Sequence, residues 1–397
     1  MNTQLFEKEK EYFIHTYNRI PVDIDYGEGV HLFDKKGNRY LDFFSGLGVN
    51  ALGYSHPGIV KAVSDQIAKF GHLSNYFITD IQVEFSEKLL KYSNMSKAFL
   101  TNSGTEAVEA AIKLIRKKYG PDKKIFSLSN AFHGRTYGAL SLAANEKYRA
   151  PFLPLLPNIY SFGFNNILEL KKHIGGDTAA IFVEFIQGEG GINLVSEEFI
   201  YELKILREKF DFLLVSDCIQ CGIGRTGKAF SHDYYDIKPN IILSAKAIGG
   251  GLPLGALLVD KALAEEFSPG DHGTTFGGNP VSCAAGNIVL SEVFEHGLVN
   301  EVKINGDYLK TQLLELMNMC PGHIKEVRGR GFMIGVDFNY ECSKIVEKLR
   351  DRKIFANCTN KSVLRLLPPL IIQKNDIDFF LYNLHETIKE LDKNNGS

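Results

Sequence analysis

Phe212-Leu213-Leu214-Val215-Ser216-Asp217 is a short apolar run that ends on a carboxylate, and Ile241-Ile242-Leu243-Ser244-Ala245-Lys246 is another that ends on an amine. Brief apolar runs bounded by polar groups read as buried strands. The pattern recurs at Lys97 to Thr101, Lys124 to Leu128, Ala179 to Phe185 and Leu254 to Val259. Helical patterns separate several of these runs. Ala107, Ala110, Ala111, Leu114 and Ile115 share one helical face. Phe199, Leu203, Leu206 and Phe210 share another, after Ser196 as a cap with Glu197 and Glu198 in the first turn. This alternation predicts an α/β fold with a largely parallel sheet and helices on both of its faces.

Outward from that centre the texture changes. Before residue 50, Val30 to Phe33 and Arg39 to Asp42 read as hairpin strands around Lys35-Lys36-Gly37-Asn38. After about residue 290, helical runs alternate with isolated strands at Gly331 to Phe338 and Val363 to Leu367. Ile377, Phe380, Leu381, Leu384, Ile388 and Leu391 form one apolar stripe on a last helix, and Lys393 to Ser397 reads as a frayed tail. The expected organisation is an N-terminal segment 1–50 belonging to a small domain, a large domain 51–290, and a C-terminal α+β part of the small domain, 291–397.

Composition excludes several classes. Lys plus Arg number 45 against 47 Asp plus Glu, so the net charge of −2 lacks the basic excess that a nucleic-acid groove or an anionic membrane surface would require. No run approaches the roughly 18 apolar residues of a membrane span. Met1 to Glu11 mixes Glu and Lys with no apolar core, unlike a secretory signal. Six cysteines are too sparse for a disulfide framework, so a reducing cytoplasm is expected. Cys218-x-x-Cys221 has redox or half-zinc spacing, but no second pair of that spacing exists and no metal site is expected.

In open α/β sheets ligands sit beyond the carboxyl ends of the strands. There the chain offers Asp217, Lys246 and, before a helix, Ser103-Gly104-Thr105. A strand-end lysine between apolar residues loses solvation, its pKa falls, and it becomes able to form a Schiff base with an aldehyde cofactor. It could equally reach solvent, as most lysines do. A buried carboxylate keeps a pyridine nitrogen protonated, which pyridoxal chemistry needs; a lone Asp also serves as a turn cap. Gln220, three residues on, is placed to meet a ring hydroxyl. Backbone N–H groups of Ser103-Gly104-Thr105 would form an anion site at a helix start. The glycine clusters at 46–53, 188–191, 222–227, 249–255 and 273–278, beside these runs, point to one shared site.

Six motifs then occur in an order that resembles the class III (ornithine/acetylornithine type) aminotransferases. They are Asn102-Ser103-Gly104-Thr105-Glu106, Phe132-His133-Gly134-Arg135-Thr136, Glu184 to Gly191, Gly222 to Gly227, Lys246 to Gly251 and Thr274 to Pro280. The resemblance covers nearly the whole chain. It implies a fold type I transferase with a mostly parallel seven-stranded sheet and a small domain from both termini. It also implies pyridoxal 5'-phosphate as cofactor and a homodimer whose active sites are built from both subunits.

Carried onto matching positions, Lys246 resembles the cofactor-bearing lysine and Asp217 the ring-nitrogen partner. Ser103, Gly104 and Thr105 match the phosphate cradle. Phe132 matches the aromatic stacked on the ring, with His133 beside it, Gln220 the ring-hydroxyl contact, and Thr275 the threonine that reaches the neighbouring subunit's phosphate. For substrate, Arg365 matches the arginine that grips an α-carboxylate, and a planar guanidinium suits that task. Glu189 resembles a switch that pairs with Arg365 when a distal amine is being transferred and yields to glutamate. Arg135 would hold the distal carboxylate, and Glu184 and Tyr17 would also line the substrate site. Any of these arginines could instead be a structural ion pair.

Thr16 to Pro21 and Ser45 to Asn50 look like the corresponding stretches of acetylornithine aminotransferases; ornithine aminotransferases carry an aromatic near Gly46. The implied reaction moves the distal amino group of N-acetylornithine to 2-oxoglutarate, yielding N-acetylglutamate semialdehyde and glutamate in arginine biosynthesis. Alternatives are ornithine, succinylornithine, 4-aminobutyrate or an N-acyl lysine intermediate as the amine, or a non-catalytic cofactor-binding regulator. One departure stands out. The family has Asp-Glu-Val-Gln where this chain has Asp217-Cys218-Ile219-Gln220, so an acidic residue is lost beside Asp217.

Overall fold

The computed structural model describes residues 3–395. Met1 and Asn2 of the N-terminal segment and Gly396 and Ser397 of the tail lie outside the described residues. Three N-terminal strands, β1 (Ile24–Glu28), β2 (His31–Asp34) and β3 (Arg39–Asp42), pair antiparallel. The β2–β3 turn is fixed by Asp34 Oδ1, which accepts the Lys36 and Asn38 N–H groups at 3.0 and 2.8 Å. β1 was not evident in the sequence because this strand faces solvent along nearly all its length.

The central sheet has seven strands: β4 (Lys97–Thr101), β5 (Lys124–Leu128), β6 (Ile159–Phe162), β7 (Thr178–Val183), β8 (Leu213–Asp217), β9 (Ile241–Ser244) and β10 (Gly255–Val259). Their spatial order is β4-β10-β9-β8-β7-β5-β6. Every neighbouring pair is parallel except those of β10, which runs against both β4 and β9. β7 to β10 are buried throughout, which is why they read as unbroken apolar runs. β6, at the sheet edge with Tyr160 and Ser161 exposed, carries no such signal.

The two sheet faces bury separate apolar clusters. The helix Gly104–Tyr119 seals one through Ala107, Ala111, Leu114 and Ile115. The helix Glu197–Phe210 seals the other through Phe199, Leu203 and Leu206. Both start on serine caps: Ser103 Oγ accepts the Glu106 N–H and Ser196 Oγ the Phe199 N–H.

Beyond the helices Pro280–Leu290 and Leu298–Met319 comes an antiparallel sheet of β11 (Ile324–Arg330), β12 (Met333–Phe338), β14 (Asn357–Thr359) and β15 (Val363–Leu366), in the order β11-β12-β15-β14. β13 (Ile354–Phe355) leaves that sheet and pairs parallel with β3. Phe43 stacks on Phe380 of the last helix, Lys374–Asn395, with ring centroids 4.1 Å apart. The two chain ends therefore share one core. Gly306 is required where the helix Leu298–Met319 crosses the β11–β12 turn, since a Cβ there would lie 2.5 Å from Gly331 Cα. No disulfide framework was expected, but one disulfide is formed, Cys342–Cys358, with Cα atoms 5.9 Å apart; it ties the start of the helix Ser343–Asp351 to β14. Among the described residues no helix is long and apolar enough to cross a membrane, and no group of three or more His, Cys, Asp or Glu could hold a metal ion.

Candidate active site

Strand ends of the central sheet converge on a cavity of about 490 Å³. β8 delivers Asp217, the turn after β9 delivers Lys246, and β4 leads through Asn102 into Ser103-Gly104-Thr105 at the start of a 16-residue helix. All five of these residues, Asp217, Lys246, Ser103, Gly104 and Thr105, border the cavity. Burial, and next the Arg365 guanidinium, push the Lys246 ammonium below its usual pKa, against the opposing pull of Glu189, Asp217 and Glu184. Its backbone sits at φ 51°, a left-handed conformation that costs about 1–2 kcal/mol for a residue with a Cβ.

Asp217 is buried, and both of its oxygens are engaged. Oδ2 lies 2.7 Å from His133 Nδ1, and Oδ1 accepts the Ile219 N–H at 3.0 Å. Burial alone would lower the His133 pKa, but the hydrogen bond and charge of Asp217 raise it overall. Glu184 lies on the same wall, its two oxygens taking the Phe132 and Gly188 N–H groups at 3.0 and 3.1 Å. Burial, reinforced by the charge of Asp217, pushes its pKa up to about 7.

The switch candidates meet. Arg365, buried on β15, places Nη1 2.6 Å from Glu189 Oε1 and 3.3 Å from Gln220 Oε1. Burial alone would raise the Glu189 pKa, but the Arg365 charge outweighs it and holds the carboxyl below its usual range. Arg135 reaches the mouth of the cavity, its guanidinium carbon 3.9 Å from the Tyr148 ring centroid and 5.5 Å from that of Phe132. Two predicted residues lie elsewhere. Tyr17 is 75% exposed beside Phe13 and Arg19 on the N-terminal segment, and Thr275 sits on an exposed loop; neither borders this cavity.

The sequence profile described as Aminotransferase class-III matches residues 12–388. The chain belongs to the class-III aminotransferases. An acetylornithine aminotransferase of Aquifex aeolicus is 43% identical over 383 residues, covering 95% of this chain and all of that one. The solved ornithine aminotransferase of Toxoplasma gondii superposes with a TM-score of 0.95 at 27% identity, covering 99% of this chain and 96% of the other. The acetylornithine aminotransferase of Elizabethkingia anophelis gives 0.88 at 31% identity, covering 98% and 99%.

Class-III aminotransferases depend on pyridoxal 5'-phosphate, and this cavity fits it. An aldehyde-bearing pyridine phosphate requires an amine, a carboxylate for the ring nitrogen, an anion cradle and a flat slot. Lys246, Asp217, the Ser103-Gly104-Thr105 helix start, and Phe132 with Ile219 would hold those four parts. Gly104 is needed for the fit, because a Cβ there would press to 2.7 Å from Ile219 Cδ1, a residue that borders the cavity. The lost acidic residue leaves Cys218 wholly buried, 3.3 Å from Ser216 Oγ and 3.7 Å from His232 Nδ1, behind the Asp217 backbone and outside the cavity.

Motif reading did not single out Asn357, Thr359, Arg328 or Tyr148. Asn357 Oδ1 accepts Arg365 Nε at 3.2 Å because β14 and β15 pair in the register Asn357 to Arg365. A predicted β14 would have found it, but that strand is three residues long and only partly buried.

Proposed function

We propose that the chain transfers the distal amino group of N-acetylornithine to 2-oxoglutarate, yielding N-acetylglutamate semialdehyde and glutamate in arginine biosynthesis. The observation that carries this reading is the 2.6 Å ion pair between Glu189 and Arg365 at the wall of the Lys246 cavity. A pair so placed neutralises Arg365, so the incoming N-acetylornithine is not seized by its α-carboxylate and can present its far amine at the Lys246 end of the cavity. Glutamate, whose reacting amine adjoins the α-carboxylate, needs Arg365 free, and the partly exposed Glu189 side chain has room to leave it. Arg135 would hold the second carboxylate of glutamate. Val49, from the Ser45 to Asn50 stretch, borders the cavity with a modest side chain, and the same stretch has Gly46 near where ornithine aminotransferases carry an aromatic, which favours an acylated donor. The Aquifex aeolicus relative's name supports the same donor.

When bound, the cofactor supplies the electron sink. Lys246, whose amine would hold the cofactor's aldehyde, would also hold and return the proton that moves during transfer, and its lowered pKa suits that task. Asp217 keeps the ring nitrogen charged, and Gln220 orients the ring hydroxyl. The reading includes a cytoplasmic homodimer. Thr275 and Phe276, exposed on their loop, and the exposed Tyr76 (98%) and Ile78 (91%) offer surface for a second copy. In that arrangement Thr275 serves the partner's phosphate, and Tyr17 lines the substrate entrance.

The test is a kcat/KM panel with N-acetylornithine, ornithine, succinylornithine, 4-aminobutyrate and N-acetyl-lysine, each with 2-oxoglutarate. N-Acetylornithine is expected to lead. A preference for free ornithine would overturn the donor, and a coloured protein that exchanges no amine would be a regulator.

A further inference from the structure

The loop that carries Glu189 is gripped from two directions. On the central-sheet side, Gln187 Nε2 donates to Ser129 O at 2.7 Å, and Asn193 Nδ2 donates to Gly190 O at 2.8 Å. On the other side, the C-terminal sheet reaches it from both of its edges. Thr359 Oγ1, buried on edge strand β14, donates to the Glu189 carbonyl at 2.7 Å. Arg328, on the opposite edge strand β11, donates Nε and Nη2 to the Gly191 carbonyl at 2.9 and 2.6 Å. Its Nη1 is in turn held by Asp337 Oδ2 at 3.0 Å and Glu326 Oε2 at 2.7 Å. Arg365 rises from β15, inside the same sheet. The two anchors and the arginine that Glu189 grips therefore share one rigid support, while the Glu189 carboxylate itself is ion-paired with Arg365.

We propose that Thr359 and Arg328 are positioning residues that pin the Glu189 backbone to the sheet bearing Arg365, so that only the Glu189 carboxylate swings between the paired and open states. Neither residue borders the cavity. Both act on backbone carbonyls that flank the switch. A pinned backbone makes the pair cheap in conformational entropy. A released backbone lets Glu189 drift from Arg365, which harms the half-reaction that needs the pair and spares the one that needs it broken. The inference rests on the switch reading given above.

In a ping-pong enzyme, kcat/KM for each amino donor reports its own half-reaction. With holoenzyme, Thr359→Val is expected to lower kcat/KM for N-acetylornithine about fivefold, the ratio that one hydrogen bond of ordinary net strength supports. The value for glutamate should hold or rise. Thr359→Ser should restore the wild-type ratio, and Arg328→Gln should move it in the same direction as Thr359→Val if the valine variant does not fold. Equal losses in both half-reactions, or an unchanged ratio in both variants, would overturn the inference. Glu189→Gln is measured alongside. If it shifts the ratio and the anchor variants do not, the anchors alone are refuted; if it leaves the ratio unchanged, the switch reading falls and the anchors with it.

Discussion

His133 Nδ1 lies 2.7 Å from Asp217 Oδ2, with both side chains sealed from solvent. The contact fills a lone pair on the carboxylate proposed to face the cofactor's ring nitrogen, and with the Ile219 N–H on the other oxygen it fixes how that carboxylate is turned. His133→Ala leaves this buried oxygen without its donor. The expected result is a rise of about tenfold in the dissociation constant for pyridoxal 5'-phosphate, the ratio that losing one hydrogen bond of about 1.5 kcal/mol to a charged group supports. His133→Asn, which keeps an N–H near the Nδ1 position, should recover most of the affinity. Reconstitution titrations followed by cofactor absorbance decide it, and equal affinity in wild type and His133→Ala would contradict the role.

Glu184 gives a pH signature. Its folded pKa of about 7 lies above the ordinary 4.5, so the folded protein binds a proton there that the unfolded chain releases. The contribution is present in full below 4.5 and is lost as pH rises through 7. Glu184→Gln cannot titrate and should lack that loss. Thermal midpoints of apoprotein, scanned from acid to mildly alkaline buffer, should fall for the wild type relative to the variant across this window. Parallel curves would remove the assignment.

Lys246 is expected to be indispensable and unfavourable at once. It carries a Cβ at φ 51° and an amine whose charge burial opposes. Lys246→Gly relieves the backbone and removes the amine, so apoprotein stability in urea should not fall, because the 1–2 kcal/mol of left-handed strain offsets roughly 0.5–1 kcal/mol of glycine entropy. Turnover should drop by at least ~10³-fold. A variant that unfolds more readily than wild type would show that the strain is not there.

The residues that define the cavity were legible because each stands at a strand end or helix start, where periodicity changes and glycines gather. Asp217, Lys246 and Ser103-Gly104-Thr105 follow directly from the buried runs before them. What the sequence hid depends on pairings distant in the chain. Thr359 meets the Glu189 carbonyl across 170 residues and Arg328 meets Gly191 across 137, the first from a three-residue strand and the second from a heavily charged one, neither with a clear apolar signature. The β3–β13 pairing that joins the chain ends is two residues long and equally silent. The motif around Arg225 was visible, but not its use. The side chain is buried, and Nη1 donates to the carbonyls of Pro368 and Phe332, binding the Gly222 to Gly227 loop to the segment after Arg365.

Arg135 and Tyr148 provide a graded test of the substrate end. Arg135 is exposed, and its guanidinium lies 3.9 Å from the Tyr148 ring centroid, so the ring holds the arginine in place without a charge of its own. Arg135→Gln removes the charged contact proposed for the second carboxylate of glutamate and 2-oxoglutarate, worth about 1.5–3 kcal/mol. KM for 2-oxoglutarate should rise by roughly 10- to 100-fold, and kcat/KM for N-acetylornithine should fall as well, since with Arg365 paired to Glu189 that donor's single carboxylate also lies at the Arg135 end. Tyr148→Leu keeps the apolar bulk and loses only the cation–π attraction, about 0.5–1 kcal/mol at an exposed site. It should raise the same KM two- to fivefold, and in the Arg135→Gln background it should add nothing. Additive effects in the double variant would mean that Tyr148 acts on substrate independently of Arg135.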